Sequence, residues 1–429
     1  MQTGGILYFC LHRHSTTFRF IMRIQFLILI CLFVGPQILA AQTPDTVRLV
    51  HYNVMRYGDP NCLSFTVKNN RLRTIFTHLR PDLLSVNELF PGQVNTNSFQ
   101  VNTLMFNPLM QAAPVSNTTG SEIVNGFFYN SAKFGLLEHE AITGSIRDID
   151  VYRLYHKATT KPGDTSDFHV IVAHFKSSTG QANETARALA AQRVTNWLLA
   201  HPQAQRVLFC GDLNLYGSTE PAWQTLTTYF DDPVNAYVGW VGPAFAAVHT
   251  QSPDDGSIGC AVGGGLDNRF DFILATPEIS GGADRLYYLP EQYQTVGNNG
   301  NSYNTALNCN NNNSVPLNVC TALVGVSDHL PQLLPLVFKP AEQSSVGGPD
   351  ARPALRVLGN PVRGHQLLLE LQNAPEQELA WQLFDALGRV VAQGETTPVA
   401  GRMLLPLGAA KGLCYLSLRG VGGVKVLVE

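Results

Sequence analysis

Short apolar runs alternate with longer amphipathic stretches from Val47 to about Phe338, and this alternation is the main structural signal in the chain. The runs predict strands at Arg48 to Val54, Leu83 to Asn87, Gly126 to Asn130, Asp150 to Tyr155, His169 to Phe175, Val207 to Gly211, Phe270 to Ala275 and Leu334 to Phe338. Helical spacing fits Val67 to Leu79, Glu184 to His201 and, after the start signal Ser218-Thr219-Glu220-Pro221, Ala222 to Tyr229. A mixture of this kind predicts an α/β domain with sheets covered by helices. No internal repeat is visible, and the Asn/Gly-rich piece from Gly297 to Asn313 reads as a mobile loop. Residues 339–352 lack periodicity and read as a linker. Residues 353–429 then alternate apolar and polar positions, as in Gln366-Leu367-Leu368-Leu369-Glu370-Leu371, which predicts a small all-β, Ig-like sandwich.

The start of the chain has a different pattern. Arg19, Met22 and Arg23 precede the apolar run Phe26 to Val34, and Ala40 and Ala41 follow, so residues 1–41 have the layout of a secretory signal peptide, with Met22 as an alternative start. The run is short for a membrane span and no later segment exceeds it, so an exported, secreted or surface protein with no stable membrane span is expected. Six cysteines then remain. Export permits disulfides: Cys309 with Cys320 would close the Asn-rich loop, Cys62 with Cys260 is a second pairing, and Cys210 in an apolar strand reads as a packed thiol. With 429 residues, 45% hydrophobic and 14% charged, the chain can bury a large core. Its net charge of −3 supplies no overall attraction to a polyanion, so a phosphate-rich substrate must be held by local cations or metal.

Polar groups cluster where the predicted strands end. Glu88 closes one strand and is a ligand type suited to a hard cation; a solvated surface acid is the plainer reading. In Gly211-Asp212-Leu213-Asn214 the glycine would let backbone approach a ligand while Asp212 and Asn214 share a side, although the same residues also make ordinary turns. His174 and Lys176 end another strand. Asp271, within an apolar strand, needs a partner; His174 or His329 would serve catalysis, Arg269 only structure. Asp328 beside His329 places an acid next to a base, and Asn53 could hydrogen-bond a phosphate or cap a turn.

Taken in order, Asn53, Glu88, His174, Asp212 with Asn214, Asp271, and Asp328 with His329 resemble the motif series of the endonuclease/exonuclease/phosphatase superfamily, over residues 42–338. The resemblance implies a DNase I-like, four-layer α/β sandwich and hydrolysis of phosphate esters. It implies that Asn53, Glu88 and Asp328 hold a divalent metal, Mg²⁺ first and Mn²⁺ or Ca²⁺ as alternatives. It further implies that His174, Asp212, Asn214, Asp271 and His329 are catalytic, with Asp271 orienting a histidine. Many relatives carry a second acid that partners the equivalent of His174, and Glu122 is the only nearby residue for that role, in poor register. The run from His174 to Ser178, with Asn183, Glu184 and Arg187, looks more like exported bacterial nucleases than lipid phosphatases, and Lys176 and Arg187 would reach substrate phosphates.

The segment 353–429 resembles the type A sorting domain of the type IX secretion system, through Asn360-Pro361, Phe384 to Arg389, Gly412 to Tyr415 and Lys425 to Glu429; an adhesive or carbohydrate-binding sandwich is the alternative. The expectation is therefore a monomeric, exported, metal-dependent nuclease acting on DNA or RNA and handled by the type IX machinery. A phospholipid or sphingomyelin phosphodiesterase would keep the same site but would want an exposed apolar hairpin, which is not evident. A surface binding module without catalysis is the third reading.

Overall fold

The computed structural model describes residues 43–159, 167–237, 239–254, 256–282, 285–340, 354–358, 361–362, 365–372, 377–399, 401–418 and 421–428. The expected signal peptide, most of the linker, and Asn360 and Glu429 of the sorting-domain motif lie outside them. The chain divides into two compact units between Ala341 and Glu342.

In the first unit the strands are β1 (Asp45–Tyr57), β2 (Leu83–Leu89), β3 (Met110–Ala112), β4 (Val124–Asn130), β5 (Phe134–Ile142), β6 (Ile149–His156), β7 (Asp167–His174), β8 (Val207–Asp212), β9 (Asp271–Ala275), β10 (Leu286–Tyr288), β11 (Gln294–Thr295) and β12 (Gln332–Phe338). The α-helices of six or more residues are α1 (Phe65–Leu79), α2 (Gln93–Thr103), α3 (Gln181–Ala200), α4 (Pro221–Leu226) and α5 (Leu317–Val324). One sheet has the order β10-β12-β1-β2-β4-β3, with β11 also on β12; the other has the order β5-β6-β7-β8-β9. Each sheet contains one parallel pair, β1 with β2 and β7 with β8, joined through α1 and α3 respectively. A parallel pair needs such a crossover, which leaves both C-terminal strand ends at the same edge.

Side-chain alternation separates three apolar layers. Along β1, Val50, Tyr52 and Val54 pack with Leu72, Ile75 and Phe76 of α1. Val47 and Leu49 turn the other way, toward Val170, Val172, Leu208 and Ile273 of the second sheet. On that sheet's far side Ile171, Val207 and Phe209 meet Ala190, Ala191 and Val194 of α3 and Trp223 of α4. The result is helix, sheet, sheet, helix: the expected four-layer α/β sandwich.

The layer between the sheets changes character along its length. Its inward rows run Leu83, Ser85, Asn87 on β2; Val47, Leu49, His51, Asn53 on β1; Leu208, Cys210, Asp212 on β8; and Val170, Val172, His174 on β7, all buried. Each row is apolar at one end and polar at the other. The antiparallel β9 contributes Asp271 at the polar end, in register with Asp212.

Two disulfides are present, Cys62 to Cys260 and Cys309 to Cys320, and Cys210 is a buried free thiol. The Asn-rich stretch is tied down, contrary to the mobile loop expected: Asn298 donates to the carbonyls of Ala246 and His249, and Asn312 donates to that of Gly297. Among the described residues no helix is long and apolar enough to cross a membrane.

The second unit pairs two antiparallel sheets. Strands β13 (Ala354–Leu358), β14 (Gln366–Gln372) and β17 (Arg402–Pro406) form one; β15 (Leu379–Asp385), β16 (Val390–Thr396), β18 (Gly412–Leu418) and β19 (Gly422–Val428) form the other. Leu367, Leu369, Trp381, Leu383, Met403, Leu416 and Val426 fill the space between them, as their alternation predicts.

The bridge of Cys62 and Cys260 spans 198 residues and that of Cys309 and Cys320 spans 11, so loop entropy predicts the larger loss from the first. Replacing Cys62 and Cys260 with alanine should cost about 5 kcal/mol, against about 3 kcal/mol for the other pair, read from urea unfolding. Away from this edge, burial pushes the His169 imidazole down to about 4 from an ordinary 6.5, Asp167 pulling the other way. The folded chain favours neutral His169, so that stability is present above 6.5 and is lost as pH falls toward 4. A His169→Gln variant should show a shallower decline of urea stability across that window.

Candidate active site

Asp212 is the meeting point of the two sheets. Its backbone N–H donates to Asn87 Oδ1 across the layer at 2.8 Å, and its Oδ2 accepts from Asn53 Nδ2 at 3.0 Å. The same oxygen lies 3.3 Å from His174 Nε2 and 3.7 Å from His329 Nε2. Gly211 before it is required by packing: a Cβ there would sit 2.3 Å from the Ala173 carbonyl oxygen, so the glycine serves strand approach and not ligand approach. Asn214 has φ of 49°, its N–H donates to Asp212 Oδ1 at 3.2 Å, and its side chain is buried near the Phe175 carbonyl.

Strict alternation would turn Glu88 away from Asn87, yet Glu88 reaches the site. Its φ is 65°, and the register of β2 slips between Val86 and Leu89, so the local irregularity re-aims the side chain. Asn53 Nδ2 then donates to Glu88 Oε1 at 3.1 Å and the Arg56 N–H to Oε2 at 3.0 Å. Met55 and Arg56 also sit in the left-handed region, at φ of 47° and 52°. Non-glycine residues held there are strained, and such strain concentrates at functional sites.

Asp271 finds its partner in His329, whose Nδ1 donates to Oδ2 at 2.6 Å; Arg269 pairs instead with Asp232. Asp328 is buried and accepts the Val262 N–H at 2.8 Å. Ser327 donates to the Asn53 carbonyl and accepts the His329 N–H, locking the last motif onto the first strand.

Electrostatics follow from this crowding. Burial pushes the Asp212 carboxyl up, with Asp271 and Glu88 adding to the rise and His329 opposing it; burial also raises Asp328. Burial opposes charge on His329, but Asp271 and Asp212 prevail and hold its imidazolium well above the ordinary range. His174 is pushed the other way, by burial and then by Arg147 and His329, so it is neutral. Its Nδ1 has no hydrogen-bond partner among the described residues, in keeping with the missing second acid: Glu122 is 81% exposed and lies near Arg56.

Glu88, His174 and Asp212 each offer a ligand atom, all within 4.8 Å of one another. Buried acids that crowd each other's charge, beside a neutral imidazole, suit a divalent cation that would relieve the repulsion. The expected ligand set changes in one respect. Asn53 Oδ1 accepts the Met55 N–H and its Nδ2 faces the two acids, so Asn53 orients ligands and does not offer its oxygen.

Arg187 is a correction. It is fully buried, paired with Glu220 through Nε and Nη2, and donates from Nη1 to the carbonyls of Lys176 and Ser178. It braces the loop that carries Lys176 and does not face substrate. Lys176 itself is partly exposed and donates to the Ser177 carbonyl.

Four nearby residues were given no role from the sequence, although His51 stands two positions before Asn53 in the first polar segment. Arg147 donates to the carbonyls of His174 and Phe175, and burial lowers its guanidinium while Glu88 and Asp212 offset this. Lys68, buried beside the Met55 carbonyl, is pushed down to about 8 by burial against the pull of Glu88 and Asp328. The Gln251 amide lies 2.9 Å from His329 Nε2. His51 lies 3.4 Å from Asp271.

No protein-family model matches the chain, and no curated protein matches it. Among solved structures it is similar to an endonuclease/exonuclease/phosphatase from Bacteroides vulgatus, at 17% identity and TM-score 0.45 over 69% of this chain and 100% of that one. It is similar also to D. rerio TDP2 complexed with single strand DNA product, at 14% identity and TM-score 0.47 over 68% and 99%. A mannosyl-6-phosphatase of Bacteroides thetaiotaomicron matches at 12% identity and TM-score 0.44 over 68% and 100%. At such identities and scores these likenesses carry no conclusion about activity.

Cation binding is directly testable. Mn²⁺ or Mg²⁺ at a hundredfold excess over its Kd should stabilise the chain by about 2.7 kcal/mol, seen as a raised Tm. Glu88→Gln should remove most of that shift, and an equal shift in the variant would exclude Glu88 as a ligand.

Proposed function

We propose that the chain is an exported, metal-dependent phosphodiesterase whose substrate is nucleic acid, DNA or RNA. One observation carries this reading: Glu88, His174, Asp212 and the His329–Asp271 pair, from five distant segments, converge at one end of the layer between the sheets. The cation would be held by Glu88 and Asp328, leaving Asp212 and His174 for proton transfer, Mg²⁺ being the best match for carboxylate oxygens and Mn²⁺ or Ca²⁺ the alternatives. When bound, it supplies positive charge to the phosphoryl oxygens.

Each side chain then has a task set by its environment. Asp212, its carboxyl raised by burial, orients the attacking water and takes its proton. His329, held as imidazolium by Asp271, donates from Nε2 to a phosphoryl oxygen, and Asn214 donates a further hydrogen bond. His174, neutral and beside Asp212, assists the leaving oxygen, and Asn53 fixes both carboxylates. Arg147 and Lys176 are cations at the same edge that suit a phosphate chain. The two disulfides agree with an oxidising compartment, and the C-terminal sandwich agrees with a type IX sorting domain that delivers the protein to the cell surface or beyond.

The full chain, incubated with plasmid DNA, structured RNA, sphingomyelin and bis(p-nitrophenyl) phosphate with Mg²⁺, Mn²⁺, Ca²⁺ or EDTA, should cleave nucleic acid in an EDTA-sensitive manner. An Asp212→Ala, His329→Ala double variant should lose at least about 10³-fold in kcat. Turnover of lipid alone would move the substrate to phospholipids or sphingomyelin, and metal-independent retention of nucleic acid without cleavage would make the chain a binding module.

A further inference from the structure

We propose that His51 is a positioning residue for this hydrolysis, acting as a second histidine on Asp271 that fixes the carboxylate and, through it, the ring of His329. The proposal rests on the functional reading above for its kinetic consequence, but its structural content stands on geometry alone. His51 lies on β1 in the inward row of Val47 and Leu49, is fully buried, and occupies a place where another aliphatic side chain would continue the apolar layer. An imidazole taken out of water there is costly unless both nitrogens have work.

Both do. His51 Nδ1 lies 2.9 Å from Ser85 Oγ, on the neighbouring strand and in register with it. Its Nε2 lies 3.4 Å from Asp271 Oδ1 on the opposite sheet. A carboxylate only accepts, so the arrangement assigns the His51 proton to Nε2 and leaves Nδ1 to accept the Ser85 O–H. The 3.4 Å separation is long for a hydrogen bond, and neither Nε2 nor Asp271 Oδ1 has another partner among the described residues. A small shift closes the gap.

The consequence is directional. Held by His329 alone through Oδ2, the Asp271 carboxylate could rotate and carry the His329 ring with it. With its second oxygen held by His51 as well, it has one orientation. His329 Nε2 then stays aimed at Asp212 Oδ2, 3.7 Å away, and at the Gln251 amide, 2.9 Å away. A continuous buried chain therefore runs Ser85, His51, Asp271, His329, linking both sheets to the reacting edge.

The test compares full-length wild type with His51→Leu, which fills the volume without a donor, and His51→Gln, which restores an amide donor. With ¹⁵N-histidine labelling, the downfield imidazole N–H protons of wild type should include those of His51 Nε2, absent in His51→Leu, and His329 Nδ1, absent in His329→Asn, beside those of the His139–Asp150 and His156–Asp45 pairs. His51→Leu should remove the His51 signal and shift or broaden that of His329. Its kcat should fall about 10- to 100-fold with KM within about twofold, the scale of losing an outer partner of a functional histidine, and His51→Gln should recover part of it. Unchanged kcat, a loss confined to KM, or an unaltered His329 N–H signal would overturn the proposal. If wild type hydrolyses no phosphodiester, the functional reading fails while the N–H signals still decide His51. Should His51→Leu not fold, Ser85→Ala frees His51 Nδ1 and should give a smaller loss in the same direction; no change in either readout would overturn the proposal.

Discussion

Asp212 carries the architecture of the active edge because it must be satisfied from both sheets at once. A carboxylate buried between two β-layers is costly, and here its neighbours come from β1, β2, β7 and the segment before β12: Asn53, Asn87, His174 and His329. The sheets cannot slide relative to one another without stranding one of these groups. The requirement that holds the sandwich in register is therefore the same one that assembles the site.

The rest of the edge keeps that cluster crowded, which raises the carboxyls of Asp212 and Asp328. Asp271 and Glu88 crowd Asp212, Asp328 crowds Glu88, and His329, Arg147 and Lys68 supply the positive charge close by. Backbone groups bear much of the load: the N–H groups of Arg56 and Val262 hold Glu88 and Asp328, and the Asn53 amide bridges Glu88 and Asp212. Cys62 and Cys260 tie the loop after β1 to the loop that carries Val262, so the supports of Glu88 and Asp328 share one covalent strap. Such a cluster is poor for stability and good for binding a cation, which is a trade typical of sites.

The apolar periodicity made the major strands and three helices legible, because each buries one face in a long, well-packed layer. It missed α2, whose sequence Gln93 to Thr103 is rich in Asn, Thr and Gln and offers Phe99 as its large buried side chain. It missed β5, most of whose side chains are only partly covered, and α5, which is apolar on nearly every side. That Asp212, Asn214, His174, Asp271 and His329 stand together at one edge was legible because polar residues interrupt or end apolar runs there. Arg187 was misread, since nothing in its local pattern distinguishes a cation facing solvent from one folded back onto Glu220.

Sequence alone determined that polar residues would stand at the ends of several buried strands, because strand alternation and burial are local properties. Which of those ends would meet, and in what orientation, was decided only by the tertiary structure. The slip that turns Glu88 inward, the pairing of Asp271 with His329, and the placing of His51, Arg147, Lys68 and Gln251 all depend on contacts between segments far apart in the chain. Those contacts are set by how two twisted sheets pack, and no single segment encodes that.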